Sequence, residues 1–129
     1  MKSEKQTVTR RRKNFPVMLL GASRAELFAL DAIDRAEFIA AIDDFEEYGP
    51  SSPRVDTKKI QGEMFEIKTQ TPDHWLRGFY FHFHEGLWII THIFAKKTNK
   101  APKADIAIGI ARYKEFILEH SSQILEKQR

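Results

Sequence analysis

The stretch "HWLRGFYFHFHEGLWIITHIFAK", His74 to Lys96, decides the fold. It reads as two β-strands joined at Glu85 and Gly86, a polar-glycine break between apolar runs that marks a tight antiparallel hairpin. The second strand, Leu87 to Ala95, is apolar on both sides except at Thr91 and His92. It is therefore expected to lie centrally, covered on both faces. Just upstream, "EMFEIKTQ" alternates, with Phe65 and Ile67 on one side and Glu66 and Lys68 on the other, which makes it the preceding strand of a meander. Arg77 has the parity of Phe79, Phe81 and Phe83. A cation in such a row must be paired or face a groove, unless a bulge at Gly78 turns it outward.

Moving outward, Leu27 and Leu30, then Phe38, Ile42 and Phe45, recur at helical spacing between Ser23 and Tyr48. Asp31, Asp34 and Arg35 interrupt the stripe, so two helices are predicted, Arg24 to Leu30 and Asp34 to Tyr48. "YGPSSP" ends the second with a glycine and two prolines. A basic loop with Arg54, Lys58 and Lys59 follows, and Phe15 to Leu20 reads as a short first strand. After Pro102 a last helix presents Ile106, Ile110, Tyr113 and Ile117 on one face. The predicted class is α+β: an N-terminal helix pair, an antiparallel β-sheet meander and a C-terminal helix. Residues 1–13 lack apolar periodicity and are expected to form a flexible basic arm before one domain over 14–129.

Composition is that of a soluble globular chain, 42% hydrophobic and 30% charged. It has no cysteine, which excludes disulfides, thiolate metal sites and cysteine nucleophiles and fits a reducing cytoplasm. "RRRKNFPVMLLGASRA" has the order of a signal peptide, but its apolar run is only about eight residues and contains Pro16, so a cytoplasmic protein without a membrane partner is expected. Charge is unevenly spread. Residues 1–13 carry six basic groups against one acidic, 14–52 two against eight, and 53–103 nine against five. That asymmetry predicts two faces with different partners.

The basic segment holds Arg54, Lys58, Lys59, Lys68, Arg77, Lys96, Lys97 and Lys100, from three strands and their loops. Strand ends meet in a meander, so these are expected to gather in one cationic groove suited to phosphate, with single-stranded RNA as the foremost ligand. Trp75, Phe79 or Tyr80 at its rim would stack bases. His82 and His84 share a strand parity and His92 lies on the partner strand, but no acidic ligand accompanies them, and no metal site is read here. A histidine acting as general acid or base is the stronger alternative. There is no glycine-rich phosphate loop, no G-x-S-x-G and no H-E-x-x-H.

"GEMFEIK" and "LRGFYFHFHEGLWIITHIFAKKTNKAPKADIAIGIARYKEF" together resemble the RelE/HigB-like toxins, in particular their phage-derived branch. Gly62, Phe65, Glu66 and Ile67 match the first element of that pattern, Arg77 and Tyr80 the second, and Phe94, Lys96, Lys97, Thr98 and Pro102 the third. Lys68 stands where the family usually has arginine, keeping the charge but losing the two-pronged fork. The resemblance implies a metal-independent, cofactor-free endoribonuclease of a toxin-antitoxin system, an mRNA interferase working on the ribosome. A ribose 2′-hydroxyl would attack its own 3′ phosphate. It further implies Arg77 and Lys68 at the phosphate, Lys96 and Lys97 on the RNA backbone, and proton transfer by Tyr80, His82 or His92, left unranked. Arg77→Ala is expected to remove toxicity without unfolding the domain. An antitoxin partner, often one with a helix-turn-helix domain, is implied as well. The competing functions are a ParE-like gyrase inhibitor and a non-catalytic RNA-binding module.

Overall fold

The computed structural model describes residues 13–121. Its elements are β1 (Val17–Leu19), α1 (Gly21–Ala29), α2 (Ala32–Tyr48), β2 (Asp56–Gln61), β3 (Met64–Gln70), β4 (Trp75–Phe83), β5 (Leu87–Lys96) and α3 (Lys103–Glu119). The strands form one sheet in the order β1-β5-β4-β3-β2. All neighbours are antiparallel except β1, which runs parallel to β5. The α+β class and the helix–meander–helix order agree with the sequence reading, and the sheet is mixed rather than wholly antiparallel. The basic arm falls outside the described residues, apart from Lys13.

The segment expected to be a basic loop is instead strand β2, "DTKKIQ", on the sheet edge. It carries few apolar residues because an edge strand buries little, and lysines there discourage pairing with another chain. Between β2 and β3 the chain turns through Gly62, whose φ of 57° lies in the left-handed region. The β4–β5 connection is a short 3-10 turn, His84–Gly86, with Gly86 at φ 71°.

The polar interruption between the helices has a local cause. The Asp31 side chain accepts a 2.9 Å hydrogen bond from the Asp34 amide and caps α2. Asp34 is buried and accepts from the Thr71 hydroxyl at 2.8 Å, with His74 Nδ1 2.7 Å away, tying α2 to the β3–β4 loop. α2 then lays Phe38, Ala41 and Phe45 over Ile67, Leu76, Tyr80, Ile90 and Ile93 of the sheet.

Opposite Phe79 and Tyr80, β5 carries a bulge, since Phe79 pairs with His92 and Tyr80 with Ile90. The extra residue, Thr91, shifts the side-chain parity of β5 midway. Ile93 and Ile90 both end up facing α2, while Phe94, His92 and Ile89 face α3. This is why β5 reads as apolar on both sides. Across the other face lies α3, with Phe116 against Phe81, Phe83 and Ile89. At Gly109 the helix lies close to the sheet, and an added Cβ would stand 2.7 Å from Phe79 Cδ2. The predicted stripe of Ile106, Ile110, Tyr113 and Ile117 flanks that contact, partly buried.

Candidate functional site

The strand register places rows of side chains across the α3 face of the sheet. Lys68 lies opposite Arg77, and Arg77 opposite Phe94. In the next row Gln70 faces Trp75, which faces Lys96. Lys68, Arg77 and Lys96, from three strands, thus meet on one surface as expected. Around them the chemistry is specific. Arg77 is 0% exposed and donates through Nη1 to Glu66 Oε2 at 2.8 Å. Its Nη2 makes only a 3.5 Å contact to Asn99 Oδ1, and its Nε has no partner among the described residues. Lys68 Nζ donates to the same Asn99 oxygen at 2.9 Å and lies 5.1 Å from the centre of the Trp75 ring.

A guanidinium has five N–H donors, and here most lack a strong acceptor. Glu66 neutralises the charge without satisfying those donors. One carbonyl oxygen, Asn99 Oδ1, therefore sits where two cations converge, the position an anionic oxygen would fill with greater gain. Neither Asn99 nor Glu66 was singled out in the sequence as part of the site. Glu66 was legible in principle, since an acid of the same parity on the adjoining strand is the natural partner of a buried arginine. Asn99 lies in the β5–α3 connection, where no periodicity points to it.

Of the two expectations for Arg77, a partner or a groove, its burial against Glu66 gives the partner, and its removal would leave Glu66 as an unpaired buried charge. Arg77→Ala is accordingly a folding variant before it is an activity variant.

His92 occupies the next row, opposite Phe79, and is 5% exposed. Its Nε2 is 2.7 Å from Asp105 Oδ1 and its Nδ1 3.0 Å from Glu26 Oε2. Glu26 also takes Arg112 Nη1 at 2.9 Å, and Asp105 lies 3.7 Å from Lys96 Nζ. This network joins α1, β5 and α3. Both ring nitrogens of His92 are engaged, so it has no free atom to offer a substrate.

The two other proton-transfer candidates lie on the opposite, α2 face. Tyr80 and His82, two apart on β4, line a cleft of about 240 Å³ with Pro50, Thr57, Lys58, Phe65 and Trp88. Burial pushes the Tyr80 hydroxyl up to about 12, so it stays protonated and acts as a donor. The remaining cations are dispersed. Arg54 pairs with Glu37 of α2 at 3.0 Å, Lys59 is exposed on the edge strand, Lys97 borders a small hollow beside Trp75 and His74, and Lys100 is exposed in the β5–α3 connection. The single groove expected to gather every cation resolves into a core of Lys68, Arg77 and Lys96, with the others elsewhere. The three histidines weighed as a metal trio are likewise apart, His82 on the α2 face, His84 in the 3-10 turn and His92 on the α3 face. Asp31, Asp34 and His74 do hold ligand-type atoms within 4.8 Å of one another, but capping and loop-tying already account for all three.

A helix pair laid on a four-stranded antiparallel run, closed by a helix on the other face, with cations on the central strands, defines the RelE-like toxin class. The archaeal RelE of the RelE–RelB complex from Pyrococcus horikoshii OT3 has the same fold, with a TM-score of 0.52 at 14% identity over 67% of this chain and 99% of that one. Residues 25–114 match the family described as phage derived protein Gp49-like (DUF891), and the chain belongs to that family, which is of the RelE/ParE toxin type. No curated protein matches it.

Proposed function

We propose that this RelE-like toxin cleaves mRNA on the ribosome through the Lys68–Arg77 pair. The observation that carries the reading is the shared Asn99 oxygen. Two cations on adjacent strands converge on one acceptor, in a surface also bearing Lys96 and the Trp75 ring. RNA would replace that oxygen with a phosphate oxygen, and Trp75 would stack a neighbouring base.

In the reaction the 2′-hydroxyl oxygen bonds to the adjacent phosphorus and the bond from phosphorus to O5′ breaks. The products are a 2′,3′-cyclic phosphate and a free 5′-hydroxyl. Lys68 and Arg77 stabilise the charge that builds on the phosphorane oxygens, and the Lys68 ammonium donates the proton that O5′ takes up. His92 is held by two carboxylates and Glu66 by Arg77, which leaves the exposed carboxylate of Asp56, opposite Lys68 on β2, as the base nearest to hand. The 2′ proton passes to Asp56, to water or to a group of the ribosome. Lys96, on the same surface, would hold the RNA backbone.

The reading includes an antitoxin that neutralises the protein by covering this surface; an acidic segment fits the charge. The test is induced expression followed by mapping of transcript ends. Translation arrest with new, codon-phased 5′-hydroxyl ends is expected. Intact transcripts with failing DNA replication would identify a gyrase inhibitor, and harmless expression with salt-sensitive RNA affinity a binding module.

A further inference from the structure

The cleft on the α2 face is built apart from the Lys68–Arg77 surface. α2 covers the sheet through Phe38 and Phe45 and ends at Tyr48, so the far part of that face lies open beside Pro50. Two stacked ring pairs wall the opening. Phe65 and Tyr80 lie 5.8 Å apart at 28°, and His82 and Trp88 lie 4.4 Å apart at 25°. On the edge strand Thr57, opposite Ile67, turns its side chain to this lining, while its neighbour Lys58, opposite Glu66, turns to the α3 face.

The polar groups at this cleft are unused. Among the described residues none hydrogen-bonds the Tyr80 hydroxyl, the Thr57 hydroxyl or the ring nitrogens of His82. An aliphatic plug would cover the rings but leave these groups unpaired as they lost water. A flat heterocycle with donors and acceptors on its edge would satisfy both requirements. At about 240 Å³ the space is below the roughly 300–1,000 Å³ of sites for larger ligands. One ring system fits.

We propose that this cleft binds a single nucleobase of single-stranded RNA, stacked among Phe65, Tyr80, His82 and Trp88. The inference rests on the reading that the protein acts on RNA, and adds a second contact on the opposite face of the sheet from the proposed cleavage centre. Aromatic walls give stacking that tolerates any base, while the Tyr80 and Thr57 hydroxyls read the edge.

The two tryptophans separate the two sites, because Trp75 belongs to the Lys68 surface and Trp88 to the cleft. In Trp75→Phe protein, titration with adenosine 5′-monophosphate, uridine 5′-monophosphate and a short single-stranded RNA should quench Trp88 fluorescence saturably. Tyr80→Phe should weaken that binding about fivefold, the worth of one hydrogen bond. In calorimetry on protein with both tryptophans, His82→Ala should lower nucleotide affinity without moving the thermal midpoint, which guards against a poorly folded Trp75→Phe variant. A silent Trp88 together with RNA quenching of Trp75 in Trp88→Phe protein overturns this inference and leaves the cleavage reading standing. Trp88 responding to an apolar peptide and to no nucleotide also overturns it, making the cleft a protein-docking site. Nucleotide quenching of Trp88 in a protein that leaves transcripts intact would uphold the cleft and reject the cleavage reading.

Discussion

The two faces of β4 differ in what they bury. Toward α2, Leu76, Gly78 and Tyr80 enter a core that is almost wholly apolar. Toward α3, the alternate residues include Arg77 at 0% exposure, and its neighbours Glu66 and His92 are 1% and 5% exposed. The first face stabilises by excluding water from hydrocarbon, which needs no particular partner geometry. The second buries charge, which adds little net stability and demands that each group keep its partner. A fold that needed stability alone would have two faces of the first kind. The charged one is where chemistry on an anion is expected.

The largest effect that could break this contrast is at Arg77. Arg77→Ala leaves Glu66 charged and buried without its partner, and should cost about 3–5 kcal/mol in denaturant unfolding. Arg77→Met combined with Glu66→Leu should recover most of that loss. A single variant as stable as the wild type would mean that Glu66 is not held as described. Lys68→Ala removes a half-exposed cation and should lower cleavage by about 10²–10³-fold while unfolding changes by less than about 1 kcal/mol.

Tyr80 tests the α2 face by pH. Its hydroxyl ionises near 12 when folded and near 10 when unfolded. The unfolded chain therefore gives up its proton first as pH rises. The stabilisation is intact below pH 10 and is lost between about pH 10 and 12, by no more than about 3 kcal/mol. Alkaline denaturation of Tyr80→Phe should lack that component, and an unchanged alkaline limb would contradict the burial of the hydroxyl.

Two close-approach glycines, one under each helix, compare the faces directly. Gly78→Ala puts a Cβ 2.7 Å from Phe38 Cζ, on a sheet strand that cannot withdraw, and should cost about 1–3 kcal/mol. Gly109→Ala meets Phe79 at the same 2.7 Å. There the helix can lift and alanine favours helix by up to about 1 kcal/mol, so the net loss should stay below about 1 kcal/mol. Thermal unfolding of the pair decides which face is the more rigid.

The hairpin of β4 and β5 was legible because ring-rich alternation and a glycine break leave few alternatives, and the helices because their apolar spacing is regular. β2 was missed because "DTKKIQ" is an edge strand whose pairing is made by backbone groups, which leave no trace in side-chain pattern. The parallel pairing of β1 was missed because three residues carry no direction. At the site, the cations of β3, β4 and β5 stand out in the sequence, and their depth does not. Arg77 has the parity of an aromatic row, but only the register of Glu66 across from Phe79 and Lys58 explains how a guanidinium survives inside. Asn99 was invisible because its role comes from where a loop folds back. Tyr80 and His82 lie on the other face because they stand three and five residues beyond Arg77 on β4, an odd spacing that strand alternation by itself separates.

The most direct measurement compares wild type and Lys68→Ala after induction, with transcript 5′ ends mapped and both proteins shown to unfold at the same temperature. The account predicts codon-phased 5′-hydroxyl ends and arrested translation for the wild type, and neither for the variant. Undiminished cleavage by Lys68→Ala would contradict the claim that Lys68 and Arg77 together form the phosphate site.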